Sequence, residues 1–247
     1  RRSSDLQQLL SKGLSLEDAR NYVMLGCSTG NAWGLCGRLH MGWLNLPKIL
    51  NLLIHNGLDV VKGEQVWEDV AGEIESFDHL MDLFQRKMRQ VLSIEAEGIK
   101  IASRALKEQL PNIYASLVMP DCIEKGADLT AGGARYNWGG TITAVGLATA
   151  ADSLTAVKTV VFEEKALSFR DLVEILRRDF EGAEDIRRKL AAAPKFGNDD
   201  DEADDIARQV AKLFCDEVER IENPGFGWLH PEFHSVITHL PLGEATG

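Results

Sequence analysis

Paired cysteines, long apolar runs and clustered basic charge are missing from this sequence, and each absence removes a class of explanation. Only 4 of the 247 residues are cysteine, at Cys27, Cys36, Cys122 and Cys215. No C-x-x-C pair occurs, so neither a zinc nor an iron–sulfur site is indicated and no metal is expected. A chain of this length builds enough core to need no disulfides, and the thiols read as reduced, in a cytoplasmic protein. No stretch approaches the roughly 20 apolar residues of a membrane span, and no signal peptide is recognisable. The 27 Lys and Arg are outnumbered by 38 Asp and Glu, leaving a net charge of −11. That argues against nucleic acid and anionic membrane as partners, because both need cation clusters to neutralise phosphate. Internal repeats and low-complexity tracts are lacking as well. The abrupt helical start after Arg1 and the end at Gly247 read as cuts within a longer chain.

What is present is a largely helical α/β pattern. Leu6, Leu9 and Leu10 give a first short helix. Ser15, followed by Glu17 and Asp18, reads as an N-cap with acid in the first turn of a second. Tyr22-Val23-Met24-Leu25 suits a buried strand. It runs into Gly26-Cys27-Ser28-Thr29-Gly30-Asn31, where Gly and Asn predict a sharp turn, so a cysteine is presented at a strand end between glycines. Residues 44–56 form an apolar helix that Gly57 would terminate. Ser76 caps a long helix with apolar residues at helical spacing, which Gly98 weakens and Pro111 ends. Tyr114–Met119 is predicted as a strand. An amphipathic helix is expected from Ala144 to Phe162, with Glu163 and Glu164 at its solvated end. Ser168 with Asp171 forms a capping-box variant.

Three further clusters invite ligand readings. The segment 130–140 is glycine-rich, with aromatic and polar side chains suited to lining a pocket, but it lacks the Gly-Lys-Ser/Thr ending of a phosphate loop. Asn198-Asp199-Asp200-Asp201-Glu202 lacks the alternating ligands and central glycine of a calcium loop, and reads instead as the acidic first turn of a helix running to about Glu222. His230, His234 and His239 carry no supporting carboxylate pattern, so a structural or pocket-lining role is the simpler reading.

Five stretches together resemble the glycyl-radical enzymes, the family that includes pyruvate formate-lyase. They are Leu16–Cys27; Asp121–Gly126 with Gly132–Asn137; Ala151–Leu154 leading to Phe162–Lys165; Pro194–Asp200; and Gly243–Gly247, which resembles the entry to the family's Pro-Asp-Gly-Arg stretch. The resemblance implies that residues 1–247 are the central part of a single domain, a segment of a ten-stranded α/β barrel. The N-terminal barrel part and the C-terminal glycyl-radical domain would lie elsewhere. It implies no cofactor bound in this segment. The glycyl radical would sit in the C-terminal part, installed by a partner activating enzyme that carries S-adenosylmethionine and an iron–sulfur cluster. A homodimer and a small-molecule substrate are implied too.

On this resemblance Cys27 is the catalytic thiol. The glycyl radical takes its hydrogen atom, and the thiyl takes one from an unactivated substrate C–H bond. Thr29, Asn31 and Asn137 are the candidate substrate-binding residues, with His40 in the same region. Pyruvate formate-lyase has two adjacent cysteines, whereas Ser28 follows Cys27 here, which disfavours that activity. The dehydratases, choline lyase and known arylacetate decarboxylases mostly carry Cys-x-Glu, whose carboxyl moves protons. Thr29 stands at that position, and a hydroxyl has no pKa suited to such work. With Trp33, Trp43 and Trp138 nearby in sequence, this leans toward carbon–carbon chemistry of the fumarate-adding or decarboxylase type. A dehydratase, or another C–O or C–N lyase, is second. A catalytically silent structural relative is the alternative from another class. Cys36 is either a second redox thiol or a small buried side chain.

Overall fold

The computed structural model describes residues 2–25, 29–68, 74–221, 229–234 and 239–247. The chain divides into two compact units. The first comprises residues 1–44, 92–143 and 218–234; the second comprises residues 45–91, 144–217 and 235–247.

The first unit begins with α1 (Arg2–Ser11) and α2 (Leu16–Arg20). Ser15 caps α2 as the sequence predicts, its side chain accepting from the Asp18 N–H at 3.1 Å. The hairpin β1 (Tyr22–Leu25) and β2 (Thr29–Ala32) follows at once, antiparallel, in register from Tyr22 opposite Ala32 to Leu25 opposite Thr29. Leu9, Leu14, Ala19 and Ala32 form a buried apolar cluster beneath it, joined by Tyr22, Leu35, Cys36 and Tyr136. Next come β3 (Cys36–Asn45), β6 (Tyr136–Val145) and β7 (His230–Phe233), which form a three-stranded sheet in the order β3–β6–β7. A small hairpin in the second unit, β4 (Leu58–Asp59) with β5 (Glu64–Gln65), completes the strands among the described residues.

Two expectations fail in this unit, each for a physical reason. The apolar run Tyr114–Met119 is not a strand but lies largely in the helix α5 (Ile113–Val118), started by Asn112, whose Oδ1 accepts from the Ala115 N–H at 3.2 Å. A short apolar run carries no period that separates helix from strand. The chain then passes through α6 (Cys122–Lys125) and a 3-10 turn (Leu129–Ala131). Residues 130–140 are only half a loop, because β6 begins at Tyr136 and takes in Ala144, where the sequence predicts the start of a helix. Residues 140–145 are buried throughout. A strand covered on both faces shows no polar–apolar alternation to read.

The second unit is mostly helical. It contains α3 (Leu46–Ile54), α7 (Leu147–Val157) with a π-helical continuation (Lys158–Glu163), α8 (Phe169–Arg177), α9 (Glu184–Ala192), α10 (Asp201–Glu219) and α11 (His239–Thr246). The division between the units falls within α4 (Phe77–Gln109), a single helix of 33 residues that Gly98 does not break. The glycine costs about 1 kcal/mol there, which burial of Leu92, Ala96 and Ile99 on the same helix offsets. Ser76 caps α4 as expected, accepting from the His79 N–H at 3.1 Å. The Ser168–Asp171 capping box is fully formed. After α3 the chain turns at Gly57 (φ +81°), whose N–H donates to the Leu52 carbonyl at 2.6 Å. Packing within this unit centres on fully buried Leu46, Leu53, Leu80, Phe84, Leu154 and Phe214.

Candidate active site

The residues singled out in the sequence fall in the first unit. The strand expected before Cys27 is present as β1, although Met24 is 55% exposed rather than buried, and Thr29, Gly30 and Asn31, expected in a turn, belong to β2; the chain between the paired ends, Leu25 and Thr29, is Gly26-Cys27-Ser28. Cys27 itself lies outside the described residues, as do the side chains of Thr29, His40 and Trp138. Asn31 sits opposite Val23 on β2. It is 95% buried, and its Oδ1 has no hydrogen-bond partner among the described residues. A buried acceptor left unpaired costs about 1–3 kcal/mol, so it marks a place where a hydrogen-bond donor belongs.

Asn137 behaves differently. Its Nδ2 donates to the carbonyls of Gly132 at 2.8 Å and Ala134 at 2.9 Å, which closes the glycine-rich bend on itself. Its Oδ1 faces Gly37, where a Cβ would stand 3.2 Å away. Asn31 and Asn137 share no hydrogen bond among the described residues. Trp33 is widely exposed; Trp43 is partly exposed and meets the His234 ring edge-on, at 5.7 Å between centroids. His234 also lies 3.4 Å from Glu232. Among the described residues no three His, Cys, Asp or Glu side chains are grouped to hold a metal. Cys36 is half-buried on the first residue of β3, against the apolar cluster.

A network that sequence reading missed surrounds this hairpin. The Tyr136 hydroxyl donates to Asp18 Oδ2 at 2.6 Å and accepts from the Ser15 N–H at 3.1 Å. Ser15 Oγ donates to the same carboxyl oxygen at 2.8 Å. The Tyr136 and Ser15 hydroxyls hold the Asp18 carboxyl below the usual carboxylate range. The next residue along, Arg135, pairs with Asp121 at 3.0 Å. The bend leading to β6 is ordered by Asp128, whose carboxylate accepts from Ser116 Oγ and Thr130 Oγ1, both at 2.6 Å. Burial works against that charge, yet the Ser116 and Thr130 bonds bring its pKa down to about 2.

The second unit has a cavity of about 440 Å³ bounded by α3, α7, α8 and α9, with none of Asp18, Asn31, Tyr136 and Asn137 in its wall. His55 lines it, with Nδ1 bonded to the Asn51 carbonyl at 3.0 Å, and burial pushes its pKa down.

The model of the pyruvate formate lyase-like family matches residues 4–243. The chain belongs to that family of glycyl-radical enzymes. Among curated members, a trans-4-hydroxy-L-proline dehydratase of Clostridioides difficile is 32% identical over 245 residues, 98% of this chain and 31% of that protein. An indoleacetate decarboxylase of Tractidigestivibacter scatoligenes is 27% identical, over 96% of this chain and 30% of that protein. The crystal structure of a hydroxyproline dehydratase from Clostridioides difficile, with trans-4-hydroxy-L-proline bound, superposes at a TM-score of 0.93 with 31% identity. That superposition covers all of this chain and 32% of the solved one. The chain thus spans about a third of the length of the relatives it matches. The expected lean toward carbon–carbon chemistry gains no support, because the dehydratases stand nearer in identity than the decarboxylase. No helix among the described residues is long and apolar enough to cross a membrane.

Proposed function

We propose that this chain is the cysteine-bearing part of a glycyl-radical lyase of the dehydratase type, acting on a small hydroxyl-bearing substrate. One observation carries the reading: a cysteine lies between the paired ends of the β1–β2 hairpin, in a chain matched almost throughout by the family model. The thiyl of Cys27 takes a hydrogen atom from a substrate carbon, so an S–H bond forms as the C–H bond breaks. The carbon radical then loses water. The hydroxyl on the neighbouring carbon leaves with its bonding electrons, and the hydroxyl on the radical carbon gives up its proton to become a carbonyl. The remaining radical recovers its hydrogen atom from Cys27, which regenerates the thiyl. The residues' part is to fix the reacting atoms and exclude water. Asn31 Oδ1, buried and without a partner among the described residues, is suited to accept a bond from a substrate hydroxyl.

The same reading takes the β3–β6–β7 sheet as part of a ten-stranded barrel and the chain as the central part of one domain. The complete protein is a cytoplasmic homodimer, and a radical S-adenosylmethionine enzyme installs its glycyl radical. Carbon–carbon chemistry is the second reading, favoured by Thr29 where a proton-moving carboxyl is expected.

Anaerobic activation of the complete protein, with polyols, hydroxyproline and arylacetates offered in turn, tests the proposal. A glycyl doublet in electron paramagnetic resonance and a dehydrated product are expected: a carbonyl compound from a vicinal polyol, or, from hydroxyproline, a cyclic imine, the ring N–H giving up the proton in place of the second hydroxyl. Carbon dioxide or a carbon–carbon adduct would favour the second reading. An activated Cys27→Ala protein that still turned over would end both, and no doublet at all would favour a silent relative.

A further inference from the structure

Tyr136 holds the cysteine hairpin by both ends. At the entry its hydroxyl joins Asp18 Oδ2 at 2.6 Å and the Ser15 N–H at 3.1 Å. At the exit its own N–H donates to the Leu35 carbonyl at 3.0 Å. The segment from Ser15 to Leu35 contains α2, β1, Cys27 and β2, so one residue closes the whole excursion.

There is little slack between these grips and the strands of the hairpin. Asn21 caps α2 and Tyr22 already belongs to β1. At the other end only a three-residue turn separates Ala32 from Cys36, the first residue of β3. Tyr136 is itself fixed. It opens β6, the central strand of the three-stranded sheet, and packs against the apolar cluster under the hairpin. A five-residue helix such as α2 has little stability of its own, and Ala19 is its one buried residue. Its placement therefore leans on the bonds to Asp18.

We propose that Tyr136, through Asp18, is a positioning residue for the reaction, setting where the Cys27 hairpin stands relative to β6. This rests on Cys27 being the hydrogen-abstracting thiol. Atom transfer demands closely placed partners, and a displacement of about 1 Å can cost on the order of 10²-fold in rate. Loss of the contact should slow abstraction while leaving substrate affinity and radical storage alone.

The test compares Tyr136→Phe, Asp18→Ala and Cys27→Ala in the complete, anaerobically activated protein. Rates are expressed per glycyl radical spin, with protonated and carbon-deuterated substrate. In Tyr136→Phe, kcat is expected to fall about tenfold to a hundredfold, with KM within about twofold and spin yield unchanged. The deuterium effect on kcat should rise, because hydrogen abstraction has become the slower step. Asp18→Ala should reproduce this, so the idea survives poor folding of either variant. A dead Cys27→Ala alongside Tyr136 and Asp18 variants of lowered melting temperature but wild-type kcat and isotope effect would make the contact a plain staple. An active Cys27→Ala would bring down the thiyl reading, and this inference with it.

Discussion

The Glu95 carboxyl of α4 lies over Gly42 of β3, so close that a Cβ on Gly42 would stand 1.9 Å from Oε1. Partial burial of the side chain pushes its pKa up, since desolvation penalises the charged form. Because the folded state holds the proton more tightly than the unfolded one, this group's stability contribution is full below about 4.5 and declines as pH rises through its elevated folded pKa. Glu95→Gln should remove that slope and raise the melting temperature at neutral pH. Thermal melts from pH 4 to 8 check it, and a parallel pH dependence in the variant would refute it. Gly42→Ala, which forces the carboxyl to swing away, should flatten the same slope.

Gly57 and Gly63 form a controlled pair. Both have positive φ, at +81° and +71°. A Cβ on Gly57 would lie 2.0 Å from the Trp67 carbonyl oxygen, whereas nothing lies within 4 Å of one on Gly63. Gly63→Ala should therefore cost only the left-handed penalty, about 1–2 kcal/mol. Gly57→Ala adds a backbone clash worth about 1–3 kcal/mol more. Urea unfolding of the two variants measures the difference directly. Equal losses would mean that the Trp67 carbonyl yields freely.

The features legible in the sequence were those written locally. Ser15, Ser76 and Ser168 announced their helices because an N-cap acts within three residues, and Tyr22–Leu25 announced a strand stopping before Gly26. Residues 140–145 were illegible for the opposite reason, since burial on both faces erased the alternation that identifies a strand. The candidate site divided the same way. Cys27 and Asn31 are proposals drawn from the residues beside them in the chain. The Tyr136–Asp18 bond spans 118 positions, and no local pattern in either stretch names the other as its partner. Asn137 looked like a pocket residue from its glycine-rich setting, yet its amide serves that bend.

Asp128 offers a test of how the bend before β6 is held. With a folded pKa of about 2 against an ordinary 3.8, its contribution is present above 3.8 and lost as pH falls toward 2. Ser116→Ala and Thr130→Val each remove a donor, and each should raise the Asp128 pKa, as read by NMR titration of its side chain. The titration should stay unmoved in Arg135→Gln, which breaks the neighbouring pair with Asp121 instead. A wild-type Asp128 pKa in both hydroxyl variants would mean that the backbone N–H donors suffice.

Thr29 decides between the two kinds of lyase chemistry. A threonine hydroxyl does not titrate near neutral pH, so it is a poor general base, and loss of a true one costs about 10²–10⁴-fold. If Thr29 only lines the site, Thr29→Ala should keep kcat within about tenfold, and its pH–rate profile should overlay the parent's. Thr29→Glu supplies a carboxyl at the same strand position. In a dehydratase that moves its protons through other groups, the added carboxyl should bring a new limb into the pH–rate profile. In a carbon–carbon lyase with no proton to move it should only weaken substrate binding, raising KM. A loss of a hundredfold or more in Thr29→Ala, with a solvent deuterium effect that disappears in the variant, would instead put the hydroxyl itself in the path of the departing water.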